Sequence, residues 1–327
     1  MSTINWGIIG CGDVTEKKSG PAFNKVSGSS LVAVMRRDAE KAADYASRHN
    51  VAHWYGDADE LMKNKNINAI YIATPPASHK DYAITALKNG FNVYVEKPVT
   101  LNAAETREIA EAVKLYATQK LTVAHYRRAV PMFLRIKELL DSGIIGNVRT
   151  VQIRMWQSAK PALVADVADN WRVKPELSGG GYFHDLAPHQ LDLMLFYFGE
   201  PEKYTGFSLN QSNETLADDH VCGQIVFKNK VVVNGSWCFN TAENQAADTC
   251  EIIGTKGRIT FPFFGNEIKW KTDTEEQTET FTHPEHIQQP MIEKMVAFFN
   301  NEAPNPCTIN EAVVLMDIMD AFTKHVG

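Results

Sequence analysis

Two short stretches of the chain carry side chains whose types and spacing could do acid–base chemistry. Glu96-Lys97-Pro98 sets two opposite charges at the end of the apolar run 91–95 and closes it with a proline. A lysine so placed can donate to an oxygen that gains negative charge. Taken alone, the pair reads better as a salt bridge at a strand end. Asp185 and His189 stand four residues apart behind Gly179-Gly180-Gly181. On a helix this spacing stacks them on one face. A neutral imidazole held by a carboxylate is what a general base needs near neutral pH. The positive end of the helix would favour an ionised Asp185 and disfavour an imidazolium at His189. Plainer fates compete. His184, Asp185 and His189 could hold a metal, but no fourth ligand stands at a suitable spacing, so no metal is expected. His189 could be a satisfied core histidine, and the glycines a loop without a role.

A third stretch, Gly10-Cys11-Gly12-Asp13-Val14-Thr15, follows the apolar run 4–9. After a strand, the first glycine of such a turn makes the bend and the second lets backbone approach a pyrophosphate. Gly10, Gly12, Asp13 and Val14 are the candidate cradle. Thr15 stands where the dinucleotide fingerprint has a third glycine or alanine, and similar turns serve S-adenosylmethionine or bind nothing. Arg36 and Arg37 end the next apolar run, about where the fingerprint expects an acid for the ribose of NAD. A guanidinium can grip a 2′-phosphate and stack on adenine, so the pair favours NADP over NAD. The other reading is two solvated arginines, with Asp38 one step late as the ribose ligand.

The elements that must position these groups alternate. Strands are expected over 4–9, 30–35, 69–73, 91–95 and 121–124, with helices over 39–49, 57–64, 80–89 and 103–118. Strand–helix alternation implies a doubly wound parallel sheet with right-handed crossovers. Its carboxyl rim is where ligands bind. Glu96 and Lys97 end one strand there, and the stiff turn Thr74-Pro75-Pro76 with His79 ends another and suits a cofactor ring and ribose. The first domain is thus 1–125. From 126 to 327 the pattern changes to an α+β domain. Its strands, over 148–156, 220–227, 231–239, 249–253 and 258–261, lack helices long enough for parallel crossovers. They imply a large, mainly antiparallel, open-faced sheet. Pro188 confines the intervening helix to a start just before it, because proline is tolerated in a first turn; Gly199 ends it. Residues 275–279 read as a solvated strand or turn. A last helix over 309–325 is apolar on most faces.

Composition narrows the class. The 327 residues are 44% hydrophobic and 22% charged, with net charge −6 and no long basic run. Two globular domains are expected, and neither nucleic acid nor an anionic membrane as partner. No apolar run approaches the roughly 20 residues of a membrane span. The first strand follows Met1 almost at once, which leaves no room for a signal peptide. The five cysteines lie far apart with no Cys-x-x-Cys pair. Reduced thiols in the cytoplasm are expected. The open sheet needs a cover for its second face, which predicts a homo-oligomer, dimer or tetramer, through that face.

Gly10-Cys11-Gly12, Thr74-Pro75-Pro76 with His79, Glu96-Lys97-Pro98, and the glycine triplet followed by Asp185 and His189 together resemble the Gfo/Idh/MocA oxidoreductases. The resemblance spans both domains. It implies an NAD(P)-dependent transfer of hydride to or from a secondary alcohol or carbonyl of a sugar, sugar derivative or cyclitol. It further implies that Lys97 is catalytic beside the nicotinamide and that Asp185 and His189 face the same ring. Trp171-Arg172 falls in the substrate-side segment, where an indole and a guanidinium suit a sugar ring. Tyr126 and Arg127 line the same cleft or pack between domains. The resemblance also sends the last helix back to the nucleotide domain. Glu96 is expected to position the lysine or its loop, and Pro98 to hold the turn, with a cis bond as the feature to look for. An aryl trans-dihydrodiol dehydrogenase and a catalytically silent cofactor-binding regulator are the alternatives. The second of these has no need of Lys97, Asp185 and His189.

Overall fold

A computed structural model describes residues 3–164 and 170–324. The chain begins with β1 (Ile4–Ile9), α1 (Asp13–Lys17), β2 (Ser29–Met35), α2 (Ala39–Arg48), β3 (His53–Tyr55) and α3 (Ala58–Met62). It continues with β4 (Ala69–Ile72), α4 (His79–Lys88), β5 (Asn92–Val95), α5 (Ala103–Leu115) and β6 (Leu121–Val123). These six strands form one wholly parallel sheet in the order β3-β2-β1-β4-β5-β6. Helices cover both faces of such a sheet, so its strands can be apolar throughout. Every residue of β4 is buried. β3 was not evident in the sequence: at three residues with an exposed Trp54, it carries no periodicity to read.

Next come α6 (Pro131–Asp141), β7 (Val148–Trp156), α7 (Pro175–Ser178), α8 (Gly181–Phe198), β8 (Pro201–Leu209), β9 (His220–Phe227) and β10 (Val232–Cys238). The chain goes on through β11 (Ala247–Gly254), β12 (Gly257–Phe261), β13 (Glu267–Thr272), β14 (Glu276–Thr280), α9 (Gln289–Phe299) and α10 (Ile309–Phe322). β7–β14 make an eight-stranded sheet ordered β14-β13-β12-β11-β7-β10-β9-β8. Its strand pairs are antiparallel except for β7 with β10. Along β7, Val151, Ile153 and Met155 are buried while Gln152 and Arg154 are exposed. Gln152 pairs in register with Asn234, and Asn234 with Gln224, so the outer face is polar at its centre. The sequence reading missed β8 and β13. β8 is an edge strand whose polar residues hide its alternation, whereas β13 does alternate, with Ile268 and Trp270 buried between charged residues.

The chain divides into two compact units. The first holds the residues up to Val130 together with Pro284–Val313, and the second holds Pro131–His283 and the chain from Val314 on. The first unit thus takes in a C-terminal segment. Val123 N–H donates to the Cys307 carbonyl at 3.1 Å. Arg128 pairs with Glu311 at 2.6 Å. Lys120 caps α9 through the carbonyls of Phe298 (2.6 Å) and Phe299 (3.1 Å). The start of α10 is a capping box: Glu311 accepts from Thr308 N–H at 2.9 Å, and Thr308 Oγ1 from Glu311 N–H at 3.2 Å. The first residues of α10 belong to the first unit. From Val314 the helix belongs to the second unit, where Phe322 packs 6.0 Å from Trp237.

The start of α8 is a second correction. The helix begins at Gly181 and carries Pro188 inside it. An interior proline removes one hydrogen bond and costs roughly 3 kcal/mol. Leu191, Leu193 and Met194 are each fully buried, and a buried apolar side chain contributes about 1.5–3 kcal/mol. Packing on all sides therefore outweighs the proline. Ser178, the last residue of α7, holds the glycine run that leads into α8: its Oγ accepts from the N–H of Gly181 at 3.1 Å and of Gly180 at 3.3 Å.

Candidate active site

In the first unit the dinucleotide turn is built by close approach. Gly10 has φ +96°, and a Cβ there would lie 2.7 Å from Thr74 Cγ2 and 2.8 Å from Thr74 N. Only glycine lets the loop after β4 close on the turn after β1. Gly12 is different. Its φ of −130° suits any residue, yet a Cβ would meet nothing nearer than the Gly10 carbonyl at 4.0 Å. Its lack of a side chain keeps space open above the turn, as an approaching pyrophosphate requires. Thr15, in place of the third glycine, is buried and donates from Oγ1 to the Gly12 carbonyl at 2.7 Å. Asp13 is exposed, and Val14 is half-buried beside it.

Arg36 folds over the same turn, with Nη1 3.3 Å from the Cys11 carbonyl. Arg37 is exposed. Asp38, the alternative ribose ligand, caps α2 by accepting from Lys41 N–H at 3.2 Å, and its other oxygen lies 3.2 Å from Lys41 Nζ. Behind the turn, Arg48 and His49 bind Glu16. The Arg48 hydrogen bond above all pulls the Glu16 carboxyl down to about 2.

At the rim of the parallel sheet, the Thr74 loop is braced by its own hydroxyls, Ser78 Oγ donating to Thr74 Oγ1 at 2.8 Å. His79, expected at the cofactor, is 0% exposed. Its Nε2 lies 2.7 Å from the Thr74 carbonyl and its Nδ1 3.0 Å from the Pro98 carbonyl. The ring thus sits between the loop after β4 and the loop after β5, where a neutral imidazole donates to one of the two carbonyls; burial holds its pKa below the ordinary value against the pull of those carbonyls. Lys97 is half-buried, and the Lys97–Pro98 peptide is cis. Glu96 is 4% exposed and accepts from three donors. Tyr126 and Arg127 lie in a short 3-10 helix and are buried, the guanidinium 5.6 Å over the tyrosine ring.

In the second unit α8 carries the other candidates. Asp185 is paired with Arg172, Nε to Oδ2 at 2.8 Å, and the two side chains are 15% and 13% exposed for Arg172 and Asp185 respectively. Arg172 also stacks 4.6 Å over Trp171. Asn170 ends this shelf: its Oδ1 accepts from Arg172 N–H at 3.3 Å and its Nδ2 donates to Tyr182 Oη at 2.8 Å. Because α8 starts at Gly181, Asp185 lies beyond the first turn, where the helix-end field has faded. The cation beside Asp185 is the Arg172 guanidinium instead. His189 is 5% exposed, with the Phe264 ring edge-on at 5.8 Å. Asp248 orients Phe264 by accepting its N–H at 2.7 Å. His184 packs against Gly180, and burial pushes its imidazole down to about 4. Among the described residues no three His, Cys, Asp or Glu side chains group as a metal ion needs.

Sequence reasoning missed Ser178, Asn170, Tyr182 and Phe264. Ser178 ends α7 and lies outside the N-cap position of α8, so no cap signal pointed to it. Phe264 left none, since its place beside His189 comes from the turn between β12 and β13.

Known proteins match this arrangement. Residues 4–125 match the model of an oxidoreductase family with an NAD-binding Rossmann fold, and residues 133–260 match the GFO/IDH/MocA C-terminal domain. An oxidoreductase of Formosa agariphila is 50% identical over 321 residues, 98% of each chain. A trans-1,2-dihydrobenzene-1,2-diol dehydrogenase of Xenopus laevis is 28% identical, over 91% of this chain and 90% of its own. A levoglucosan dehydrogenase solved with NADH and levoglucosan shares the fold, with TM-score 0.84 and 22% identity over 98% of this chain and 96% of its own. The chain belongs to the Gfo/Idh/MocA family of NAD(P)-binding oxidoreductases, carrying both the nucleotide-binding and the C-terminal domain, and is an enzyme of that type.

Proposed function

We propose that the enzyme moves a hydride between NADP, in preference to NAD, and a secondary alcohol or carbonyl of a sugar, sugar derivative or cyclitol. The observation that carries the substrate class is the shelf beside Asp185. An indole with a guanidinium over it, next to a carboxylate, offers stacking and several charged hydrogen-bond partners to a polyol. When bound, the nicotinamide accepts or supplies the hydride. In the oxidative direction His189 takes the hydroxyl proton, while Lys97 donates to the carbinol oxygen as it becomes an alkoxide. Asp185, held by Arg172, orients the imidazole or a neighbouring hydroxyl. Gly10, Gly12 and Arg36 would hold the dinucleotide. Arg36 supports NADP because it lies on the turn, whereas Asp38 is committed to capping α2.

The likeness to a dihydrodiol dehydrogenase favours a second reading, an aryl diol as substrate. The charged Arg172–Asp185 pair supports a polyol over an arene. A homo-oligomer, dimer or tetramer, would form through the outer face of the eight-stranded sheet, whose polar centre calls for hydrogen-bonded contacts between subunits. None of the five cysteines is in a disulfide, which supports a reducing cytoplasm. Among the described residues no helix is long and apolar enough to cross a membrane. Nicotinamide absorbance, followed over a panel of aldoses, levoglucosan, inositols and trans-dihydrobenzenediol with each cofactor, tests the proposal. Turnover of a sugar or cyclitol with NADP is expected. Turnover of the arene diol alone would overturn the substrate class, and no turnover of any alcohol, with cofactor bound, would favour a silent regulator.

A further inference from the structure

We propose that Tyr71 and Gln288 are positioning residues for Lys97, acting through the buried carboxylate of Glu96. This rests on the reading of Lys97 as a catalytic residue. Glu96 ends β5 with almost no exposure to water. A carboxylate in such a place must find its donors within the protein, and it finds three. Tyr71 Oη donates to Oε1 at 2.5 Å and Gln288 Nε2 donates to the same oxygen at 2.7 Å. The other oxygen, Oε2, accepts from the backbone N–H of Lys97 at 3.1 Å. Two side chains therefore fix one oxygen, and the second oxygen fixes the peptide from which the lysine springs.

The two donors are themselves anchored. Gln288 N–H donates to the Lys18 carbonyl at 3.1 Å, just past α1, and its Oε1 accepts from Tyr94 Oη at 3.4 Å. Tyr71 Oη lies 3.1 Å from Ser19 Oγ, which is 3.3 Å from the Val14 carbonyl. The Tyr71 and Tyr94 rings stack at 5.1 Å, so neither phenol can swing away. Burial, with Glu96 close by, holds the Tyr71 phenol well above its ordinary pKa, so it stays a donor wherever the enzyme works. The same cluster therefore joins the helix after the dinucleotide turn to the lysine peptide. Gln288 comes from the C-terminal segment of the first unit, far along the chain from both. A donor to a developing alkoxide must be held to about half an ångström, and this cluster is what holds the main chain of Lys97.

The test compares Tyr71→Phe, Gln288→Leu and the double variant with Lys97→Ala and the parent, all as full chains with NADPH. The single variants should each lower kcat about tenfold, with KM and NADPH affinity by fluorescence titration changed less than about twofold. The double variant should lose less than the product of the singles, because both act through one carboxylate. A merely structural role would lower the melting temperature and leave kcat of the folded enzyme unchanged. Competitive acetylation of Lys97 by acetic anhydride in the NADPH complex, read by mass spectrometry, needs no substrate. Its rate should change about threefold or more in each single variant. If Lys97→Ala keeps its turnover, the catalytic reading of Lys97 fails. If Lys97→Ala collapses while both single variants keep parental kcat and acetylation rate, the positioning role is overturned and the catalytic reading stands. Should Tyr71→Phe fail to fold, Gln288→Leu decides by the same measurements.

Discussion

Lys97 and the Asp185–His189 pair are held by different physics. Lys97 follows a strand locked between parallel neighbours on both sides. The loop after it is pinned from two directions, by the Glu96 cluster and by His79 on the Pro98 carbonyl. Both of these constraints are polar contacts to backbone, one from a buried carboxylate and one from a buried imidazole. Asp185 and His189 ride instead on one helix that tolerates an interior proline, begins in a run of glycines and is held mainly by apolar packing. Arg172 gives Asp185 a directional partner at 2.8 Å. Where hydrogen bonds set the position of a side chain, a substitution should change chemistry before stability. Where packing sets it, stability should suffer first.

The largest expected effect is on the lysine side. Lys97→Ala should reduce turnover by about a hundredfold or more while the NADPH affinity and melting temperature stay near parental values. Steady-state kinetics with fluorescence titration checks this, and near-normal turnover would dissolve the contrast at its root. On the helix side, Gly181→Ala is the matching change. Gly181 has φ +78°, and a Cβ would lie 2.7 Å from Ala217 Cβ. Stability to urea should fall by about 2 kcal/mol. Unchanged stability would mean that the start of α8 is not held as tightly as its backbone suggests.

Two smaller effects sharpen the picture of the first unit. Arg36→Ala should weaken NADPH about tenfold and NADH less than about twofold, as read by thermal shift or titration. Equal losses for both cofactors would detach Arg36 from the 2′-phosphate. Glu16 is the mildest case. Its carboxyl is lowered from 4.5 to about 2 by Arg48 and His49, so its contribution to stability is present above 4.5 and lost as pH falls toward 2. Glu16→Gln should therefore cost about 1 kcal/mol or less at neutral pH, as a partly exposed pair allows. The gap to the parent should close on acidification, and a gap that persists below about pH 2 would assign the loss to packing.

Much of this follows from local order in the chain. The alternation of apolar runs with amphipathic helices settles the parallel sheet, because period and turn residues are properties of neighbours in sequence. Glycines at Gly10 and Gly12, the proline after Lys97, the alternation along β7, and the Asp185–His189 spacing could all be read in the same way. The capping box of Thr308 and Glu311 is local in the same sense. What could not be read depends on partners far apart in the chain. The sequence places His79 near a cofactor loop, but only the fold shows its ring sealed between two carbonyls. Pro188 suggested a late helix start, and only the burial of α8 on nearly all sides explains why the helix begins earlier. The carboxylate of Glu96 meets Gln288 across most of the chain length, a pairing that no spacing rule encodes. Residue types and their periods determine which elements form and which side chains are chemically able. Which buried polar groups satisfy one another is decided only when the chain has closed on itself, because a buried donor or acceptor takes whatever partner the packing brings within reach.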